Sequence, residues 1–205
     1  VSIAPLIHVI DDDESVRTAL LRLLTAAGFE ACGYGSAGEF LLRPPPDRPG
    51  CLLLDVRLPG PSGLDLQEAM HDHAIDLPII FLTAHADVSS SVRALKSGAV
   101  DFLEKPVDRD TLLGALGSAL ARDLEMRNER DHSRQLRAHF ALLTPREREV
   151  FDRVVVGKAN KIIAEELGIA ERTVKVHRAQ MMAKLGADSS AELGGLAEQL
   201  RRLLD

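Results

Sequence analysis

From Pro5 to about Leu120, short apolar runs rich in β-branched residues alternate with stretches whose apolar positions recur at helical spacing. Leu6–Ile10, Glu30–Tyr34, Cys51–Leu54, Ile79–Leu82 and Val100–Leu103 read as strands, with helices expected at about 14–27, 36–42, 63–73, 88–97 and 108–122. Three of the strands are almost continuously apolar, as strands covered on both faces of a parallel sheet must be. Ser36, Ser62 and Asp108 stand near helix starts, where an N-cap acceptor is wanted, and Gly28 and Gly98 fall where helices should end. Right-handed crossovers then give a doubly wound α/β sheet of five parallel strands. Its reactive site belongs outside the carboxyl ends of the strands.

The pattern changes after residue 122. Residues 123–140 are densely charged and hold neither Gly nor Pro, which predicts that the fifth helix runs on as a polar helical connector. Leu120, Leu124 and Arg127, then Leu136 and Phe140, give it a thin apolar stripe. A solvated helix and a dimeric or domain-docking helix are both compatible with that stripe. From Leu143 onward the chain is all helical. Thr144-Pro145 is an N-cap followed by a first-position proline, Gly157 ends the first helix, Gly168 lies in a short turn between two more, and a fourth begins at about Ser189. The expected division is a first domain over 1–122, a helical linker over 123–141 and an all-α four-helix domain over 142–205.

Composition is that of a globular chain, with 45% hydrophobic and 27% charged residues. No apolar run approaches the ~18–20 residues that span a bilayer, so a cytoplasmic protein without a membrane partner is expected. Val1-Ser2-Ile3-Ala4-Pro5 has no basic segment before an apolar stretch and no initiating Met, which points to a trimmed start and an offset numbering. Cys32 and Cys51 lack metal-ligand spacing, and both are expected to be reduced thiols in buried segments. The net charge of −6 is unevenly spread: residues 1–120 hold 9 Lys/Arg against 17 Asp/Glu, and residues 121–205 hold 16 against 14. Only the second half suits nucleic acid, and only if its positive charge is gathered on one face.

The first strand runs into Asp11-Asp12-Asp13, and the third ends in Asp55, followed by Val56-Arg57-Leu58-Pro59-Gly60. Neighbouring parallel strands bring Asp11, Asp12 and Asp55 to one rim. Three carboxylates that close stay ionised only if a cation compensates them, and an all-oxygen set with room for water suits Mg²⁺, or Mn²⁺. The main-chain carbonyl of Arg57 is the expected further ligand. Such a metal would screen the approach of a phosphoryl donor to an Asp55 nucleophile. The fourth and fifth strands add Thr83 and Lys105, a hydroxyl and an ammonium, and a cis Lys105-Pro106 bond would aim the ammonium inward.

Taken singly, these residues are strand-end caps, a turn residue and a surface charge. Taken together, Asp-Asp, Asp, Thr and Lys-Pro at the ends of strands one, three, four and five resemble the receiver domains of two-component response regulators, over residues 5–122. The resemblance implies a flavodoxin-like fold, Asp55 as phosphoacceptor, Mg²⁺ on Asp11, Asp12 and Asp55, Thr83 as reporter of the phosphoryl group, and Lys105 as its ion-pair partner. Phe102 matches the family's aromatic switch position, with plain core packing as the alternative. Ala84 is small, as close approach to the pocket requires, and Thr83-Ala84-His85-Ala86-Asp87-Val88 looks like the FixJ branch.

In the C-terminal part, Val174, His177, Met181 and Leu185 share one face of a helical wheel and should pack inward, while Arg172, Val176, Ala179 and Ala183 share the other. An exposed valine among small residues suits the major groove, where a methyl can meet a thymine methyl. Residues 171–184 hold four Lys/Arg and one Glu, the concentrated positive face that the bulk charge demands. Lys161, Lys175, Arg178 and Lys184 are candidate phosphate contacts, each equally readable as a solvated charge; Arg172, Thr173, Val176 and Ala179 complete the expected DNA-binding set.

The Thr-Pro-Arg-Glu, Asn-Lys and Thr-Val-Lys-Val-His motifs resemble the LuxR-type helix-turn-helix of FixJ/NarL regulators over residues 142–200. Three positions depart from that pattern. Ala170 stands where a serine cap is usual, which should weaken the start of the recognition helix by ~1 kcal/mol; Ile162 replaces a common glutamate, and Ser190 a usual arginine. The last helix, with Leu193, Leu196 and Leu200, matches the one that dimerises on DNA, and core packing accounts for it equally well.

The combined resemblance implies a transcriptional activator that is switched by phosphorylation from a sensor histidine kinase, dimerises on activation, and binds promoter DNA and RNA polymerase. It is not expected to be an enzyme. A regulator of the same architecture working without phosphorylation is the alternative. A metal-dependent phosphatase of related fold is a third, weakened because Arg57 stands where its second, acid/base aspartate would be.

Overall fold

The computed structural model describes residues 3–43, 45–84 and 88–204. Val1 and Ser2, Pro44 of the proline loop, and His85-Ala86-Asp87 of the FixJ-like stretch lie outside the described residues. In chain order the elements are β1 (Leu6–Ile10), α1 (Glu14–Ala26), β2 (Glu30–Tyr34), α2 (Ala37–Leu42), β3 (Gly50–Asp55), α3 (Gly63–Asp72), β4 (Ile79–Thr83), α4 (Val88–Lys96), β5 (Asp101–Glu104), α5 (Arg109–Ala141), α6 (Pro145–Val154), α7 (Asn160–Leu167), α8 (Glu171–Leu185) and α9 (Ser190–Leu204). The chain forms two compact units, Val1–Met126 and Arg127–Asp205. Helix α5 is continuous across that boundary.

In the first unit the five strands are parallel in the order β2-β1-β3-β4-β5. Alternate residues of β3 serve opposite layers. Leu52 and Leu54 join Phe40, Leu66, Met70 and Phe81 on one face, while Cys51 and Leu53 join Leu20, Leu24, Leu112 and Leu116 on the other. β1, β3 and β4 are buried throughout, which is why their sequences carry so little alternation. Helix starts follow local chemistry: Asp13 accepts from the amides of Ser15 and Val16, Ser36 from that of Glu39, and Ser62 with Asp65 closes a reciprocal capping box. The register sets Ile10 beside Leu54 and Asp55 beside Leu82, so β1, β3 and β4 end on a common rim.

One expectation fails here. Cys51 is buried, but Cys32 is exposed. β2 is an edge strand, and on the face bearing Cys32 the six-residue α2 covers Tyr34 without reaching the middle of the strand. The strand's own residues do not reveal its place at the edge. In α5, Leu124 of the thin apolar stripe is 59% exposed, which agrees with the solvated alternative at that position. The buried seam Leu112, Leu116, Ala119 continues instead to Asp123, at helical spacing, and the Asp123 carboxylate accepts a 3.1 Å hydrogen bond from the amide of Gly50, where β3 begins.

The second unit encloses its own core. Leu143, Val150, Phe151, Val154, Ile163, Val174, Met181, Leu185, Leu193 and Leu200 cluster with Leu136 and Phe140 from the end of α5. α6 starts at a capping box of Thr144 and Glu147 with Pro145 in the first turn, and α7 ends at Gly168 in the left-handed region, φ 65°. Among the described residues, no helix is long and apolar enough to cross a membrane.

One buried group gives the first unit a pH signature. His8, central in β1 and 2% exposed, has its Nδ1 3.1 Å from the Tyr34 hydroxyl and its ring against Phe40. Burial, aided by the Arg48 charge, lowers its pKa from 6.5 to about 4. The folded form therefore resists protonation that the unfolded chain accepts, so stability is complete above pH 6.5 and declines as pH falls toward 4. Between pH 7.5 and 5 the unfolding free energy of this unit should fall by about 2 kcal/mol on account of His8, read by denaturant titration. His8→Asn should remove that part of the slope, and an unchanged slope would reject the assignment.

Candidate functional site

At the carboxyl rim of the sheet, one ligand oxygen from each of Asp11, Asp12 and Asp55 lies within 4.8 Å of the others. Asp11 is 2% exposed and Asp55 9% exposed, whereas Asp12 is exposed. The Lys105 ammonium sits between the two buried carboxylates, 2.6 Å from Asp11 Oδ2 and 2.6 Å from Asp55 Oδ2. Backbone amides finish the frame. Asp13 N–H donates to Asp11 Oδ1 at 3.1 Å, Arg57 N–H to Asp55 Oδ1 at 3.0 Å, and the Arg17 guanidinium to the Asp11 carbonyl at 2.5 Å.

The charges at this rim are unequally matched. Burial pushes the Asp11 carboxyl above its usual range, against the bonds from Lys105 and Asp13 that favour its charged form. Burial also opposes the Lys105 charge, but its bonds to Asp11 and Asp55 prevail and hold the ammonium above its ordinary pKa. One ammonium among three carboxylates leaves a negative excess. An all-oxygen donor set with that excess fits a divalent cation.

Thr83 ends β4 at 1% exposure, and its carbonyl accepts from Lys105 N–H at 2.7 Å, which fixes the neighbouring strand ends; the Lys105-Pro106 peptide is cis. Phe102 lies in β5 beside Phe81, with ring centroids 6.0 Å apart and a partly buried side chain. On the other flank, a Cβ at Gly63 would collide with the main-chain oxygen of Asp55, so only glycine lets α3 start so close to this residue.

The second unit presents a different surface. On α8, Val174, Met181 and Leu185 are buried, while Arg172, Thr173, Lys175, Ala179 and Ala183 are exposed and Val176 is 49% exposed. The expected apolar-and-small outer face is therefore present. His177, expected to pack inward, is partly buried. Lys161 is exposed on α7, and Lys175 forms a 3.3 Å ion pair with Glu171 one turn back.

Two of the expected phosphate contacts are occupied within the unit. Lys184 Nζ lies 2.6 Å from the buried Glu147 carboxylate and 3.2 Å from the Leu142 carbonyl. Burial opposes the Glu147 charge, but the bonds from Lys184 and Thr144 outweigh it and hold that carboxyl below its usual range. Arg178 donates to Asn160 Oδ1 at 3.2 Å and Ser190 Oγ at 2.6 Å.

Comparison with known proteins agrees with both surfaces. Residues 7–117 match the family of response regulator receiver domains, and residues 141–197 match the luxR family of bacterial regulatory proteins. The chain is 44% identical to nodulation protein W of Bradyrhizobium diazoefficiens over 95% of its own length and 86% of that protein's. This chain belongs to the FixJ/NarL response regulators. It is also 40% identical to the transcriptional regulatory protein FixJ of Rhizobium meliloti, covering 93% of this chain and 94% of that one. The solved structure of the response regulator StyR superposes with a TM-score of 0.83 at 45% identity, over 96% of this chain and all of that one.

Sequence reasoning missed the inward roles of Arg178 and Lys184 in this response regulator. Their partners lie 18 and 37 residues away, beyond the reach of local pattern. For Arg178 a signal was available: at 100° per residue it falls only about 40° from Val174, on the packing side of α8. The absent cap was legible, since Ala170 makes no side-chain cap bond and α8 begins with its first amides uncapped by a side chain. Ala170→Ser should therefore raise the stability of the second unit by about 1 kcal/mol, seen as a higher unfolding midpoint by circular dichroism. Lys184→Met should do the reverse, lowering stability by about 1–3 kcal/mol as Glu147 loses its buried partner. Equal midpoints for wild type and Lys184→Met would show that the pair adds nothing.

Proposed function

We propose that the first unit is a phosphorylation switch whose acceptor is Asp55, and that it regulates transcription through DNA contacts made by α8. The Lys105 ammonium shared between Asp11 and Asp55 carries this reading: it sets a single positive charge beside the one carboxylate that ends the central strand. In the reaction an Asp55 oxygen attacks the phosphorus of a phosphohistidine on a sensor kinase. The phosphorus–nitrogen bond breaks, the imidazole nitrogen keeps the electron pair, and an acyl phosphate remains on Asp55.

Asp11, Asp12 and Asp55, with the Arg57 carbonyl, would hold Mg²⁺ or Mn²⁺. A divalent cation there supplies positive charge to the phosphoryl oxygens. Lys105, already poised at 2.6 Å from Asp55, pairs with the added group, and the Thr83 hydroxyl moves to it. Phe102, packed beside Phe81 and only partly buried, has room to follow. A local change of charge thereby biases a two-state surface.

In this reading the receiver spans 1–122, the linker 123–141 and the helix-turn-helix domain 142–205. The protein works in the cytoplasm as a homodimer when activated, binds promoter DNA, recruits RNA polymerase as an activator and catalyses no turnover of an outside substrate. Arg172, Thr173, Lys175, Val176 and Ala179 face the DNA on α8, and Lys161 meets a phosphate from α7; their exposure supports this role. The similarity to FixJ of Rhizobium meliloti, a transcriptional regulatory protein, and to the response regulator StyR supports it too.

Incubation with radiolabelled acetyl phosphate tests the acceptor. Wild type should take up acid-stable, base-labile label only with Mg²⁺ present, and Asp55→Asn should take up essentially none. Equal labelling of the two would remove Asp55 from the role.

A further inference from the structure

Helix α8 has two sides, and its four cations do not all lie on the same one. Relative to Val174, Val176 and Ala183 sit about 180–200° round the helix and Arg172 about 160°, whereas Arg178 sits about 40° away, close to Met181 and Leu185 on the buried side. The Arg178 side chain is half-buried, and its two terminal nitrogens are bonded to neutral acceptors on two other helices: Asn160, the first residue of α7, at 3.2 Å, and Ser190, the first residue of α9, at 2.6 Å. No carboxylate faces it within ion-pair distance among the described residues.

Building on the DNA-binding reading of α8, we propose that Arg178 is a positioning residue for recognition: it sets the angle of α8 against α7 and α9, and takes no phosphate itself. The guanidinium suits this task because its N–H groups form a rigid planar fork, so two simultaneous bonds fix both distance and direction. Base readout through side chains as short as Val176 and Ala179 tolerates little tilt, since a methyl contact and a close backbone approach are both lost over about an ångström. Ser190, the first residue of α9, then has a purpose in this chain. A hydroxyl accepts from Arg178, and a second guanidinium at that position would repel it.

The proposal separates three variants that leave the charge of α8 unchanged. The full-length protein, treated with acetyl phosphate and Mg²⁺, is used to enrich duplexes from a random 20-base-pair library, and affinity is measured across a KCl series for an enriched duplex and for the unselected pool. Ser190→Ala, losing one bond at an exposed position, should weaken the enriched duplex about three- to tenfold and the pool much less. Arg178→Lys, which keeps the charge but loses the fork, should do the same or more. Both should retain the wild-type salt dependence, and Ser190→Thr should bind as wild type. Lys175→Met, as comparator, should lower the slope of log K against log salt by about 1.

Wild-type affinity and discrimination in Ser190→Ala and Arg178→Lys would overturn the proposal. So would an Arg178→Met variant whose slope falls by about 1 with equal weakening on both duplexes, because that marks a phosphate contact. If Arg178→Lys fails to fold, Ser190→Ala decides alone. A wild-type protein that enriches no duplex would instead reject the DNA-binding reading on which this role rests.

Discussion

The rim of the receiver sheet depends on one ammonium group. Asp11 and Asp55 are buried at the ends of adjacent strands, and two such carboxylates repel unless a cation stands between them. Lys105 is that cation, 2.6 Å from each, delivered from β5 at the far side of β4. The bridge therefore ties together strand ends that are not neighbours in the sheet, and the backbone bond from Lys105 to the Thr83 carbonyl includes the strand between them. Because the match is one positive charge to three carboxylates, the rim keeps an unmet demand for positive charge. That imbalance is what turns a structural ion pair into a site.

Much of this was legible in the sequence because parallel strands announce themselves. β1, β3 and β4 are buried on both faces, so apart from His8 their residues are apolar almost without break, and the polar residues at their carboxyl ends mark the rim: Asp11, Asp55, Thr83. The residues that sequence reasoning misjudged depend on what lies across from them. Cys32 sits in a strand like its neighbours but at the edge of the sheet, and the short α2 leaves it uncovered. Asp123 stands in a run of charged residues and reads as solvent-facing, yet its carboxylate accepts from the amide of Gly50 at the start of β3. Burial of a charged residue is set by its partner, and the partner here is 73 positions away.

The second unit repeats the lesson at α8. The alternation of buried and exposed faces on α8 was visible from spacing, down to the exposed Val176. The division of labour among its cations was not. Lys184 stabilises the start of α6 through Glu147, and Arg178 ties α8 to the starts of α7 and α9. Positive charge on α8 is thus divided: Arg172 and Lys175 are exposed, while Arg178 and Lys184 are bonded within the unit. α7 and α8 both begin at alanines without a side-chain cap, so tertiary bonds of this kind carry more of the burden of keeping them in place.

β3 is held at both extremities by carboxylates: the Asp123 side chain receives the amide of its first residue, Gly50, and its last residue, Asp55, is clamped by Lys105 and the Arg57 amide. A Cβ at Gly50 would strike the main-chain oxygen of Leu6, so the strand also lies tight against β1 at its start. A strand fixed in this way, in the middle of five, behaves as an anvil. A charge added at its tip would meet a strand held at both ends, whereas on the β4 side the sheet ends in β5, whose residues are partly buried or exposed.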